Sequence, residues 1–395
     1  MTEDPKISTN YFQTYYFIFD GSSILSAYSE LINILKAIDI NLLNNISSLN
    51  EAKMNKIVFL KTDHENFIEK LILIKNFTAY IKEIGKLIHE ETFEFNLSLD
   101  TNFNMLKNNI KKINWDTWIQ NYNSFKVRLI TIGNFVKNSK YSKNEYYSLI
   151  PQLGEIILRQ SNATVDVKDP FHKIDFIIWD SGKIVFGLNI FTINRTIIDK
   201  RAPKHRKFFH PSSMNPFLIR NMMNFGLTNE IIEKLSKKAS LYFLDPFMGG
   251  GGMLVDALDL GFHTIGIDLK YWMGRGTRMN LYDFEEKISF SSMPWNIISL
   301  TTSQNLPIRK NSIDLIVTDP PYGISTSLKD NNFSQLLTTV LSECFRVLKK
   351  GKRIVISIPS EYPLPKIVDK NQIIFSISNI VHRSLTRIIW VIENK

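Results

Sequence analysis

The chain has 395 residues, 44% hydrophobic and 22% charged, with 48 Lys and Arg against 38 Asp and Glu for a formal net charge of +10. This length exceeds one ordinary core and predicts two or three domains, while the positive balance suits a polyanionic partner and equally a merely basic cytosolic protein. One cysteine excludes intrachain disulfides and a cysteine-based zinc site, seven scattered histidines lack ligand spacing for a metal, and no apolar stretch reaches bilayer length or follows a basic N-terminus, so a cytoplasmic protein without a membrane partner is expected.

The N-terminal part is rich in Asn, Ile and Lys without a fixed period, which reads as genomic composition rather than low complexity. Tyr15-Tyr16-Phe17-Ile18-Phe19 predicts a strand. Ile24, Leu25, Tyr28, Leu31, Ile32 and Leu35 mark one face of a helix, and Ile57-Val58-Phe59-Leu60 predicts a returning strand. Together they outline an α+β module over residues 1–65.

Residues 66–190 alternate again. Phe125–Ile130 predicts a strand, Tyr147, Ile150, Leu153, Ile156 and Ile157 the apolar face of a helix, and Thr164–Val167 another extended segment. A hairpin follows, Ile174–Trp179 and Lys183–Ile190, turned by Asp180-Ser181-Gly182. Lys126 and Arg128 on the first strand are candidate RNA contacts or a solvated strand face.

Residues 191–209 form a basic linker. Arg195, Lys200, Arg201, Lys204, Arg206 and Lys207 flank Pro203 in a stretch too polar to bury. It is a solvated spacer or a set of phosphate contacts that positions RNA without reading its sequence. His210 follows, capping a ligand pocket or packing at a helix start.

From residue 210 onward the pattern becomes strand and helix in alternation. Leu241–Asp245 predicts a buried strand; Pro246-Phe247-Met248 and four glycines, Gly249 to Gly252, precede the helical pattern Met253, Leu254, Ala257, Leu258, closed by Gly261. Such glycines let backbone approach a ligand where a Cβ would collide. His263–Asp268 predicts a second strand ending in a carboxylate placed to hold a ribose diol, with Leu269 next to it. The dinucleotide fingerprint lacks its third glycine, since Gly249-x-Gly251 leads to Leu254 and Gly250-x-Gly252 to Val255, and no GxxxxGK[ST] loop occurs. A glycine turn opened by an acid better suits S-adenosylmethionine, whose amino acid end carries an ammonium that Asp245 can meet. Read alone, Asp245 is also a helix N-cap candidate and Asp268 a strand-end turn residue.

Asp319-Pro320-Pro321-Tyr322 ends the apolar run Ile313–Thr318. The amino nitrogen of guanine or adenine is a poor nucleophile because its lone pair is delocalised into the ring. If Asp319 and the Pro320 carbonyl each accept one N–H, that lone pair turns toward an electrophilic methyl group; Tyr322 stacks on the base, and the prolines bring no competing N–H. Asp and Pro are also ordinary residues of a strand-to-loop exit. Strands near 241–245, 263–268, 287–290, 313–318, 352–358, 372–378 and 386–393 complete an α/β, Rossmann-like, mostly parallel doubly wound sheet whose last strand is antiparallel. Asp245, Asp268 and Asp319 then share the strand ends, where such sheets bind ligands. Cys344 falls in an apolar helical pattern and reads as a packed thiol.

Asp245-Pro246-Phe247-Met248 with its glycines, Gly266-Ile267-Asp268, Asp319-Pro320-Pro321-Tyr322-Gly323 and Phe208–Pro216 together resemble the THUMP-containing tRNA guanosine N2-methyltransferases acting on the guanosine at tRNA position 10. The resemblance covers about the last 270 residues well and the first 120 loosely. It implies a Rossmann-like methyltransferase domain at 210–395, S-adenosylmethionine as cofactor, tRNA as substrate, and a THUMP-like tRNA-binding domain at 66–190 that grips the acceptor end. It further implies roles for Asp319, Pro320, Pro321 and Tyr322 at the base, and for His210, Asp245, Pro246, Phe247, Gly249, Gly251, Asp268 and Leu269 at the cofactor. Some relatives need a small activating subunit. One departure stands out: the family's acidic residue ahead of a Leu-Pro dipeptide is missing from Leu300–Pro307, leaving Thr302 or a backbone carbonyl to meet the cofactor's adenine. Adenine-N6 or guanine-N2 methylation of rRNA or DNA, and a non-catalytic RNA-binding subunit, are the alternatives.

Overall fold

The structure is a computed structural model that describes residues 12–395 except 65, 95, 120–121, 134–139, 212, 289–294, 300–304, 322–329 and 383–384. In chain order the first half contains β1 (Gln13–Phe19), α1 (Ile24–Ile38), α2 (Leu49–Asn55), β2 (Ile57–Thr62), α3 (Phe67–Phe77), β3 (Ile81–Thr92) and α4 (Leu99–Ile110). Next come β4 (Ser124–Ile132), α5 (Lys143–Arg159), β5 (Thr164–Val165), β6 (His172–Trp179) and β7 (Lys183–Thr192). The second half contains α6 (Thr196–Asp199), α7 (Pro216–Gly226), α8 (Asn229–Ser236), β8 (Tyr242–Asp245), α9 (Gly252–Leu260), β9 (His263–Asp268) and α10 (Tyr271–Ile288). It closes with β10 (Trp295–Ser299), β11 (Ile313–Thr318), α11 (Asp330–Val347), β12 (Leu348–Pro359), β13 (Ile373–His382) and β14 (Leu385–Glu393).

Two compact units partition the chain, one comprising residues 1–25, 44–71 and 81–193, the other 26–43, 72–80 and 194–395. The first is built on one sheet ordered β2-β1-β3-β7-β6-β4-β5. Strand β1 carries five consecutive buried residues, as a strand covered on both faces requires. Helix α5 starts at a capping box, Ser142 with Glu145, and buries Tyr146, Leu149, Leu153, Ile156 and Ile157, the spacing of one helical face. The expected hairpin forms as β6 and β7, paired Ile178↔Ile184, with Gly182 at φ +83° in its turn. Strand β3 and helices α3 and α4 carry no expectation above. At 12 residues β3 pairs with both β1 and β7, so strands of 1–65 and of 66–190 share one sheet.

The second unit draws in residues 26–43 through a buried carboxylate. Glu30 accepts from Thr78 Oγ1, the Ala79 and Tyr80 N–H groups and Asn224 Nδ2 at 2.6–3.1 Å. Four donors offset the cost of burying that charge, and burial still raises its pKa against those bonds. The sheet runs β10-β9-β8-β11-β12-β14-β13, parallel from β10 to β12, with β14 antiparallel to both neighbours. This is the expected doubly wound α/β sheet. One strand moves: residues 287–288, expected in a strand, end α10, and the edge strand is β10 instead. Apolar positions at Leu281, Phe284 and Ile288 continue the helical period through the short run, and local pattern cannot separate the two states. Cys344 is buried in the cluster with Ile316, Leu337, Val340 and Ile356, and burial pushes its thiol pKa up.

Candidate active site at the carboxyl edge of the second sheet

Strand order explains why three distant carboxylates meet. From β8 the chain proceeds to β9 and β10 on one side, then returns to β11 on the other side of β8. That reversal opens a crevice at the carboxyl ends of adjacent strands. Asp245 is the last residue of β8, Asp268 the last of β9, and Asp319 the first after β11.

Helix α10 holds the glycine turn from below. Gly249 and Gly251 take φ of +48° and +78°, and a Cβ on Gly251 would stand 2.5 Å from Thr277 Cγ2. Both conformation and space therefore demand glycine at 251. Thr277 Oγ1 donates to the Gly249 carbonyl at 2.6 Å. Asn280 Nδ2 donates to the Gly250 and Phe208 carbonyls at 2.9 and 3.0 Å, while its Oδ1 accepts from the Phe208 N–H at 2.8 Å. Asp268 is fixed by the Gly249 and Lys270 N–H groups, one on each carboxylate oxygen at 3.1 and 2.8 Å. Each oxygen keeps a further acceptor position.

Asp245 is 2% exposed and accepts from Thr318 Oγ1 and the Phe247 N–H. Burial pushes it up to about 7, and the charges of Asp319 and Asp268 add to the rise. Asp319 has two unlike oxygens. Oδ2 lies 3.3 Å from Arg387 Nη1, whereas Oδ1 is buried and has no hydrogen-bond partner among the described residues. Burial pushes Asp319 up to about 6, although the Arg387 charge pulls it down, as does the nearby Ser357 hydroxyl, which itself makes no hydrogen bond among the described residues. Pro320 is buried and Pro321 half-buried beside it.

The remaining expected site residues fall into three groups. Pro246 is buried, Phe247 packs against the core, His210 faces the Trp272 ring at 5.6 Å, and Leu269 is 50% exposed past Asp268. Tyr322 and Thr302 lie outside the described residues. The RNA candidates divide. Lys126 extends along its strand with Nζ 3.3 Å from the Val167 carbonyl, and Lys200, Lys204 and Lys207 are exposed, Lys207 lying 3.5 Å from Asp283 and Glu286.

Four arginines correct the expectation of solvent-facing cations. Arg128 pairs with the fully buried Asp175 at 2.6 Å and with Glu83 at 3.1 Å; Asp175 also accepts from Tyr16. Arg201, 7% exposed, bridges Asp256 and Asp259 at 2.6 and 2.7 Å. Arg206 donates to the Arg201 carbonyl, and burial pushes its guanidinium down to about 10 against the pull of Asp256. Arg195 donates to the Ala79 carbonyl and stacks 4.4 Å over the Phe217 ring. Residues 194–207 are thus an integral part of the second unit rather than a solvated linker, because buried acids elsewhere in the fold recruit its arginines.

Thr277, Asn280, Thr318 and Arg387 carry no expectation above. Thr277 and Asn280 sit three apart on α10 among Met273, Gly276 and Leu281, and both are buried. Polar side chains inside an apolar helical face are the signal that marks such residues.

Residues 203–389 match the RMKL-like methyltransferase domain family. The crystal structure of TrmN from Thermus thermophilus aligns with 97% of this chain and 99% of its own at TM-score 0.49 and 14% identity. A tRNA (guanine(10)-N2)-dimethyltransferase of Methanothermobacter thermautotrophicus is 29% identical over 72% of this chain and 76% of its own length. A protein of Methanothermococcus thermolithotrophicus named "Probable tRNA (guanine(10)-N2)-dimethyltransferase" is 34% identical over 38% of this chain and 85% of its own length. On these two sequence matches the chain belongs to the family of tRNA (guanine(10)-N2)-methyltransferases.

Proposed function

We propose that this protein transfers methyl groups from S-adenosylmethionine to the exocyclic N2 of a guanosine in tRNA, at position 10. The observation that carries this reading is the buried Oδ1 of Asp319, which has no hydrogen-bond partner among the described residues, at the switch point of the sheet. A buried acceptor left without a donor costs about 1–3 kcal/mol, and an amino N–H of the target base removes that cost.

The residues present fit the cofactor. Three carboxylates share one strand edge, and burial, with a smaller contribution from the charges of Asp319 and Asp268, raises Asp245, so the crevice favours a positively charged guest over a pyrophosphate. S-adenosylmethionine, when bound, supplies an electrophilic methyl on a sulfonium. Asp268 would hold its ribose diol, the turn from Gly249 to Gly252 its methionine end, and Leu269 and His210 would line its flanks. Asp319 Oδ1 and the Pro320 carbonyl accept the two N–H bonds of the amino group, turning its lone pair out of conjugation as positive charge develops. Tyr322 stacks on the base, which must leave its helix to enter. After transfer one amino proton is held at Asp319 Oδ1 and passes to solvent.

Residues 66–190 serve in this reading as a THUMP-like tRNA-binding domain after an N-terminal module at 1–65, with Lys126, Lys200, Lys204 and Lys207 meeting phosphates. Among the described residues no helix is long and apolar enough to cross a membrane, and we place the activity in the cytoplasm. A small activating subunit is tested by comparing the rate of the purified chain with that in its native extract.

Nucleoside mass analysis of tRNA incubated with methyl-labelled S-adenosylmethionine decides the function. N2-methylguanosine or N2,N2-dimethylguanosine at position 10 is expected. N6-methyladenosine, or cofactor binding without transfer, overturns the reading.

A further inference from the structure

The antiparallel last strand brings a cation to the reacting edge. Strand β14 pairs with β12 from Arg353↔Glu393 to Pro359↔Arg387, so it begins at the edge where the parallel strands end. Arg387 is its third residue, opposite Pro359 on one side and Asn379 on the other. A parallel strand in that place would begin at the opposite edge of the sheet. The guanidinium reaches Asp319 Oδ2 at 3.3 Å, and the two side chains are only 13% and 19% exposed.

We propose that Arg387 is a positioning residue for the methyl transfer, gripping Oδ2 of Asp319 so that Oδ1 faces the base amino group and holding that carboxylate in its acceptor form. The proposal rests on the functional reading above. An isolated carboxylate in such a place takes up a proton rather than keep its charge. Protonated, it offers an O–H where the amino group needs an acceptor. The groups facing Asp319 make the need acute: Asp245 from β8 carries the same charge, Asp268 stands beyond it on β9, and Ser357 from β12 is neutral. Arg387 supplies the opposing charge. Its delocalised charge stays beside Oδ2 at 3.3 Å, which a lysine on its flexible stem holds less well.

The test is the pH dependence of single-turnover methylation between pH 5.5 and 9.5 for the wild type, Arg387→Lys and Arg387→Met, beside calorimetric titration of S-adenosylmethionine. For Arg387→Met the acidic limb should move up from about 6 by about one pH unit or more, a loss of about 2-fold near pH 7 that deepens to about 8-fold at pH 5.5. Most of that loss should return by pH 9, with cofactor affinity kept within about 3-fold. Arg387→Lys should fall between the two and guards against a folding failure. In an Asp319→Asn background, which removes the titrating carboxylate, the same substitutions should add no pH-dependent loss to the low residual rate. A loss equal at every pH, or none at all, overturns the proposal. Isotope-edited infrared titration of the Asp319 carboxyl in the free protein follows its ionisation without turnover. If the wild type forms no N2-methylguanosine the functional reading fails, whereas an infrared titration unaltered by Arg387→Met removes the role of Arg387 alone.

Discussion

Thr318 Oγ1 donates a 2.7 Å hydrogen bond to Asp245 Oδ1, tying the residue before the Asp-Pro-Pro-Tyr motif to the residue that opens the glycine turn. The bond joins β11 to β8, so the two ends of the proposed site share one buried link. Thr318→Val keeps the shape and removes the donor. It should destabilise the second unit by about 1–2 kcal/mol, as expected for a lost bond to a buried carboxylate, and weaken S-adenosylmethionine binding. Urea unfolding and calorimetry measure both; an unchanged midpoint would mean that water replaces the bond.

Asp319 and Asp268 should separate rate from affinity. Asp319→Ala is expected to lower single-turnover methylation by about 100-fold or more while cofactor affinity stays within a few-fold, because the proposed arrangement turns Asp319 to the base. Asp268→Ala should do the reverse, costing about 1.5–3 kcal/mol of cofactor binding through lost charge-assisted hydrogen bonds. Saturating cofactor should restore most of its rate. Failure of that rescue would assign Asp268 another task.

Stability should fall as pH rises from about 4 to about 7. Asp245 and Asp319 are raised to about 7 and about 6 in the folded protein, above the usual carboxylate value near 4 in an unfolded chain. Between those values the native state binds more protons than the unfolded one, so these two groups favour the fold at low pH and the advantage is lost as pH rises through about 7. Asp245→Asn should flatten this dependence in melting curves recorded from pH 5 to pH 8. A slope unchanged by that substitution would show that other groups set it.

Basic residues of the 194–207 segment should behave as two classes. Replacing Lys200, Lys204 and Lys207 with Gln should leave the melting temperature within a degree or two and flatten the log–log salt dependence of tRNA binding by up to about one unit for each phosphate no longer neutralised. Arg201→Ala should instead destabilise by about 1–3 kcal/mol, because Asp256 and Asp259 lose one of their two arginine partners while Arg220 still pairs with both. An unaltered salt slope in the lysine variant would remove those side chains from the RNA interface.

Short-range chemistry made the glycine turn legible. A buried apolar run, an acid and four glycines specify strand, turn and helix start within a dozen residues, and Gly251 meets the demand for both positive φ and an absent Cβ. Periodicity likewise located β1, α1, α5, the β6–β7 hairpin and six strands of the second sheet. It failed at residues 287–288, where a short apolar run fits helix and strand alike. What the amino-acid sequence determined by itself was therefore local: conformations set by neighbours a few residues away and the residue types that the reaction needs. The tertiary structure alone decided which charges meet. Arg201 and Arg206 look identical to Lys200 and Lys204 as a basic run, yet Asp256 recruits Arg201 into the interior, and Arg387 reaches Asp319 from 68 positions later only because β14 runs antiparallel. Electrostatic partners act across space, and their distance is fixed by strand order rather than by separation along the chain.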